Sequence, residues 1–231
     1  MKRHPRQLEL VARTWGGRRV GAGRKPASGR RSVPHSRRVA HDPRCPAHVT
    51  LRAAAGLPSL RGAAVFRAVR IAFAAASRDH FRLLHFSVQS DHLHLLVEAD
   101  EPTRLTRGVQ GLAIRVAKAV NRILGRRGTV WGDRYHARTL ASPREVRNAL
   151  IYVLQNWKKH VPGARGLDSR SSAAWFTGWR TPIARTLRAS PIAAARTWLA
   201  RIGWQRHGML DIGEAPGRRC HRLQRSARTS P

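Results

Sequence analysis

Carboxylates are scarce in this chain: 12 Asp and Glu stand against 45 Lys and Arg, a formal net charge of +33 over 231 residues. So one-sided a charge repels itself unless a polyanion neutralises it, which points to nucleic acid first and an anionic membrane surface second. Arginine outnumbers lysine and alanine is abundant, so a GC-rich coding background supplies part of the excess, but it does not explain the shortage of acids. No apolar run approaches the about 20 residues of a spanning helix, and no apolar core follows the basic N-terminal residues, so neither membrane insertion nor secretion is expected. Cysteine is nearly absent. Cys45 and Cys220 lie far apart without a Cys-x-x-Cys spacing, which excludes a zinc ribbon and a disulfide framework and fits a reducing cytoplasm, alongside the nucleoid. No cluster of three carboxylates appears, which argues against a two-metal nuclease of the acidic type.

What is present begins with organisation. Residues 1–44 are rich in Arg, Gly, Pro and Ser without an apolar period and read as a disordered basic arm, for solubility or for phosphate contact. Order is expected from 45. A strand at 48–52 is followed by a helix over about 59–78, with Leu60, Ala64, Val65, Ala68, Val69, Ala72, Phe73 and Ala76 at helical spacing. Strands at 82–88 and 92–98 flank the polar turn Gln89-Ser90-Asp91 as a hairpin. A second helix spans about 103–124 and stops at Gly125; a short strand covers Tyr135 to Leu140. Ser142-Pro143-Arg144-Glu145 then places serine at N-cap, proline at N1 and glutamate at N3, a capping box that opens a helix to about Lys159. The order β-α-β-β-α-β predicts an α+β, ferredoxin-like (RRM-like) antiparallel sheet with helices packed on one face and the 92–98 strand central. An accessory segment, 161–212, holds the aromatics Trp175, Phe176 and Trp179 and a short helix from Pro191 to Ile202; 213–231 reads as a basic disordered tail.

Two pairs of residues carry chemistry. In the run His92-Leu93-His94-Leu95-Leu96-Val97, alternate side chains share a face, so both imidazoles point one way while Leu93, Leu95 and Val97 point into the core. Two such imidazoles are half of a divalent-metal site. On the capped helix, Tyr152 and Asn156 are four residues apart and share a face, and a hydroxyl with an amide oxygen suits a nucleophile and a third ligand. Gln155, next to Asn156, is the alternative ligand. Four residues align Asn156 with Tyr152 better than three align Gln155.

These segments resemble the single-tyrosine HUH transposases (IS200-like), especially the relatives associated with repetitive extragenic palindromes, over about 45–160. His92-Leu93-His94 is similar to the family's His-hydrophobe-His metal motif, Arg134-Tyr135-His136 to its Arg-Tyr-His segment, and Tyr152-Val153-Leu154-Gln155-Asn156 to its nucleophile helix. Two positions depart: Asp91 stands where many relatives have asparagine, and Trp157 where many have proline. The resemblance implies a metal-dependent tyrosine DNA transposase or nickase. Mg²⁺ or Mn²⁺ on His92, His94 and Asn156 would polarise a phosphate of single-stranded, hairpin-associated DNA, and Tyr152 would attack to leave a 5′-phosphotyrosine. It also implies DNA contacts at Arg134 and Arg138 and a monomer or homodimer.

Other residues keep two readings. Arg104, Arg107, Arg115 and Lys118 form a basic helix face, either solvated or phosphate-tracking DNA-binding. Tyr135 is a rival nucleophile. His48 and His85 are packing residues or DNA contacts, and Trp131 is a core residue or a stacking platform. The alternatives to an enzyme are a non-catalytic nucleic-acid-binding protein, domesticated or decayed, and an unrelated basic RNA-binding protein. A Tyr152 hydroxyl close to the His pair would separate them.

Overall fold

The computed structural model describes residues 41–161, 163–184, 186 and 188–217. Most of the expected basic arm, 1–40, and the tail from 218 lie outside the described residues. In chain order the elements are β1 (Ala47–Arg52), α1 (Ala63–Ala74), β2 (Phe81–Val88), β3 (His92–Ala99), α2 (Pro102–Ile123), β4 (His136–Thr139), α3 (Pro143–Gln155) with a 3₁₀ turn at Asn156–Lys159, and the single-turn α4 (Trp198–Arg201). The four strands form one antiparallel sheet in the order β2-β3-β1-β4. β3 is central, as its Leu-Leu-Val run requires of a strand buried on both faces.

Strand alternation sorts the sheet into two faces. Ala47, Val49 and Leu51 of β1 and Leu93, Leu95 and Val97 of β3 enter one core with Val65, Val69 and Phe73 of α1 and Val109, Leu112, Val116 and Val120 of α2. The two helices of the ferredoxin-like unit therefore share one face, as expected. The opposite face is covered by α3: Leu84 and Leu96 pack with Val146, Ala149, Leu150 and Leu154, and with Phe176, Trp179, Leu199, Trp204 and Leu210 from beyond 160. The sheet is thus clad on both sides, and the catalytic candidates lie on the α3 side. In β2 the register shifts between Leu83 and His85, and this bulge lets Leu83 and Phe86 both face the α1–α2 core.

The close packing of α2 on the sheet depends on Gly108. An ideal Cβ there would lie 2.2 Å from the Phe81 ring, so only glycine admits the approach. On the other face, buried Glu98 accepts hydrogen bonds from Arg82 Nε (3.1 Å), Arg196 N (2.9 Å), Thr197 N (3.0 Å) and Thr197 Oγ1 (2.7 Å). These fully occupied oxygens tie the chain beyond 190 to the centre of the sheet. They also shorten the helix expected from Pro191 to Ile202 to Trp198–Arg201, because the backbone around Thr197 is committed to a tertiary acceptor.

Further boundaries differ from the sequence expectation, among them the end of α1 at Ala74 rather than near 78. The α1 helix starts at Ala63 rather than near 59, since Leu60 N donates to Ser90 O of the hairpin at 2.9 Å. Residues 213–217, expected in the tail, lie against α3: Arg147 pairs with Glu214 at 2.7 Å. Among the described residues no helix is long and apolar enough to cross a membrane.

Candidate active site

The strand register builds the site floor. Thr50 of β1 is paired with His94 of β3 on one side and with His136 of β4 on the other, and Arg52 stands opposite His92. The His92 and His94 rings lie 4.6 Å apart. Each has its Nδ1 engaged: His94 Nδ1 shares a hydrogen bond of 3.2 Å with Thr50 Oγ1, and His92 Nδ1 lies 2.6 Å from Asp91 Oδ1. A carboxylate only accepts, so His92 carries a hydrogen on Nδ1. His94 Nε2 is buried without a partner among the described residues. Burial, with neighbouring His48 and His92, holds the His94 pKa well below its ordinary value, so the ring is a neutral donor at pH 7.

The wall is α3. Ser142 Oγ accepts from Glu145 N at 3.3 Å, and Glu145 Oε2 accepts in return from Ala141 N at 2.8 Å. The capping box forms as read, shifted by one backbone donor. With Pro143 at N1, this start fixes the helical phase that brings Tyr152 over the sheet. The Tyr152 ring meets His94 edge-on at 4.8 Å and His48 at 5.5 Å. After Gln155 the winding tightens to 3₁₀, and Lys159 Nζ arrives 4.3 Å from the Tyr152 ring centroid. The His160 ring stands 6.3 Å from His92.

Asn156, one turn after Tyr152, is 1 % exposed, and among the described residues neither its Oδ1 nor its Nδ2 has a hydrogen-bond partner. An unpaired buried amide costs roughly 1–3 kcal/mol, a cost that a bound cation would offset. Gln155 differs: its Nε2 donates to Asp211 O at 3.3 Å and Ile212 O at 2.8 Å, fastening the C-terminal segment, and only its Oε1 lacks a partner. Among the described residues no three His, Cys, Asp or Glu side chains gather as a cation site. The donor types present, two imidazoles and the Asn156 amide, nevertheless suit a divalent cation whose third ligand is an amide.

The other sequence candidates fall elsewhere. Arg104, Arg107, Arg115 and Lys118 sit on α2, across the sheet from Tyr152. Arg134 is exposed beside β4, and Arg138 is engaged with Glu145. Tyr135 is buried in the α1–α2 core, on the face away from the histidines, which removes it as a rival nucleophile. Trp131 is half-buried against that core, with Nε1 donating to Ala113 O at 2.9 Å. His85 packs on Phe176 and shares a hydrogen bond with Ser172 Oγ; it is a packing residue. The sequence reading missed His48, Thr50, Lys159 and His160 as site neighbours. Only the strand parity of His48 and Thr50 hinted at it, and parity without register names no partner. Beside Tyr152, a 340 Å³ cavity is lined by His48, Arg138, Glu145, Asn148, Ile151 and Ala215 among others.

Residues 44–156 match the family model described as Transposase IS200 like. That segment is an IS200-like transposase domain. A solved structure of a REP-associated tyrosine transposase bound to a REP hairpin aligns with a TM-score of 0.45 and 17 % identity, covering 55 % of this chain and 74 % of that one. No curated protein matches the chain.

Proposed function

We propose that this transposase domain cuts and rejoins single-stranded, hairpin-forming DNA through a covalent link to Tyr152. The observation that carries this reading is the Tyr152 ring standing 4.8 Å from His94, itself 4.6 Å from His92, within one chain. A nucleophile beside an imidazole pair needs no second copy to complete it, which favours a monomer acting on its own substrate.

The Tyr152 hydroxyl attacks the scissile phosphorus. The Oη–P bond forms and the P–O3′ bond breaks; the phenolic proton passes to solvent and the departing 3′-oxygen takes one up. The products are a 5′-phosphotyrosine and a free 3′-hydroxyl, and the retained phosphodiester energy allows rejoining without ATP. Mg²⁺ or Mn²⁺ held by His92, His94 and the Asn156 amide would supply Lewis acidity at the phosphate. The Lys159 ammonium over the Tyr152 ring adds fixed positive charge where the phosphate must come. His48 closes the site from β1 and is neutral at pH 7, since burial brings its pKa to about 4. Arg104, Arg107, Arg115, Lys118, Arg134 and Arg138 are assigned to the DNA backbone away from the scissile bond, where phosphate contacts orient the strand.

The test incubates the protein with Mn²⁺ and 3′-labelled single-stranded hairpin DNA from the ends flanking its gene, beside Tyr152→Phe. A labelled protein band that survives denaturation and is lost in Tyr152→Phe is expected. Retarded DNA in a native gel without a covalent band would replace this reading with that of a binding protein on a transposase fold.

A further inference from the structure

The β2–β3 turn places a carboxylate against the first histidine. Asp91 Oδ1 lies 2.6 Å from His92 Nδ1, and Asp91 Oδ2 accepts from Arg52 Nη2 at 2.7 Å. Each oxygen therefore serves one partner. The backbone below is fixed as well: Asp91 O accepts from Ala53 N at 2.8 Å, and Gln89 N donates to His92 O at 2.8 Å. Because Arg52 is the residue opposite His92 in the β1–β3 ladder, guanidinium, carboxylate and imidazole form one chain across two strands.

We infer that Asp91 is the positioning residue of the metal centre: it fixes His92 as the Nδ1–H tautomer and turns Nε2 toward the cation, while Arg52 holds the carboxylate in place. The inference rests on the metal reading of the site given above. A carboxylate behind a ligating imidazole raises its basicity and sets its ring orientation. The charge matters here for a second reason. Arg52 and Lys159 are cations near the His pair, in a chain of net charge +33, and they oppose a divalent ion; Asp91 is the carboxylate that touches a proposed ligand. Among the described residues, His94 has the Thr50 hydroxyl rather than a carboxylate behind it. The two histidines are therefore unequal, and the centre depends more on Asp91 than on Thr50.

The experiment measures Mn²⁺ affinity of the full chain without DNA, by titration followed by electron paramagnetic resonance, at pH 8. Asp91→Ala is expected to weaken binding about 10- to 100-fold. Asp91→Asn keeps an acceptor for His92 Nδ1 but not the charge, and should lose less; Thr50→Val should lose less than Asp91→Ala. Nitrogen-15 spectra of the imidazoles in the metal-free proteins give a readout that a merely structural role would not move. His92 should be the Nδ1–H tautomer in the parent and should lose that preference in Asp91→Ala. Unchanged affinity in Asp91→Ala, or an unchanged His92 tautomer, overturns the inference while leaving the metal site standing. A parent protein that binds no Mn²⁺, or binds it equally well in His94→Ala, overturns the metal reading and the inference with it.

Discussion

Replacing Asn156 by leucine should stabilise the metal-free protein. The residue is 1 % exposed and both its side-chain heteroatoms lack partners, so the folded state bears the desolvation cost of an amide without a compensating hydrogen bond. Leucine has a similar volume and no polar atom to bury. Removing an unsatisfied buried polar group recovers roughly 1–3 kcal/mol, and each kcal/mol raises Tm by about 2–4 °C for a chain of this size. Urea unfolding in EDTA should therefore show Asn156→Leu more stable than the parent by about that amount. Saturating Mn²⁺ should reverse the order. At a free concentration 100 times its Kd, a ligand that binds only the folded state contributes about 2.7 kcal/mol, and this accrues to the parent in full but not to a variant lacking one ligand. The reasoning fails if Asn156→Leu is less stable than the parent in EDTA by about 1 kcal/mol or more, for the amide would then be satisfied in the folded protein and would not be a vacant ligand.

Further expectations concern packing, pH, capping and charge. Gly108→Ala puts a methyl 2.2 Å from the Phe81 ring and should cost about 1–3 kcal/mol in urea unfolding; a loss under about 0.5 kcal/mol would mean that Phe81 swings aside. Burial lowers the pKa of His85 to about 3 and of His48 to about 4. The unfolded chain then takes up protons near 6.5 that the folded chain refuses, so stability is full above about pH 6.5 and declines toward pH 4, by up to about 1.4 kcal/mol per pH unit per histidine. Both rings keep an edge toward solvent, which trims that slope; His85→Phe should flatten it, and a Tm unchanged from pH 7 to 4.5 would refute the assignment. Ser142→Ala removes the acceptor for Glu145 N and should cost about 1 kcal/mol, seen as faster amide exchange in the first turn of α3. Arg107→Gln combined with Arg115→Gln should lower the slope of log K against log salt for DNA binding by roughly one unit per charge removed, without changing Mn²⁺ affinity.

The sequence carried those parts of the molecule that depend on one element at a time. Period-2 alternation put His92 and His94 on one face and Leu93, Leu95 and Val97 on the other, and the sheet bears this out. The proline and serine at 142–143 set the start of α3, hence the phase of Tyr152. What lay out of reach depends on two elements meeting. Alternation says that His48 and Thr50 share a face, but only the pairing of Thr50 with His94 brings them into the site. The helical angle favoured Asn156 over Gln155; what the sequence could not show is that the Gln155 amide nitrogen is taken by the carbonyls of Asp211 and Ile212, more than 50 residues along the chain, while the amide oxygens of both residues lack a partner among the described residues. The basic face of α2 was visible as a stripe, but not that the sheet separates it from Tyr152.

The same distinction explains why Asp91 read only as a departure from the family's asparagine. Its consequence is set by Arg52, which reaches it across the ladder and holds one oxygen, leaving the other for His92. An asparagine in its place could accept the His92 hydrogen with its amide oxygen but would offer Arg52 only an amide nitrogen, donor facing donor. Arginine at 52 and a carboxylate at 91 therefore belong together, and a change at either should be read with the other in view. Arg52→Ala would leave Asp91 ionised but untethered, still bonded to His92. The double variant Arg52→Ala with Asp91→Asn should then fall short of the sum of the two single losses in Mn²⁺ affinity, because each change removes part of one chain. Losses that simply add would mean that Arg52 and Asp91 act on the site separately.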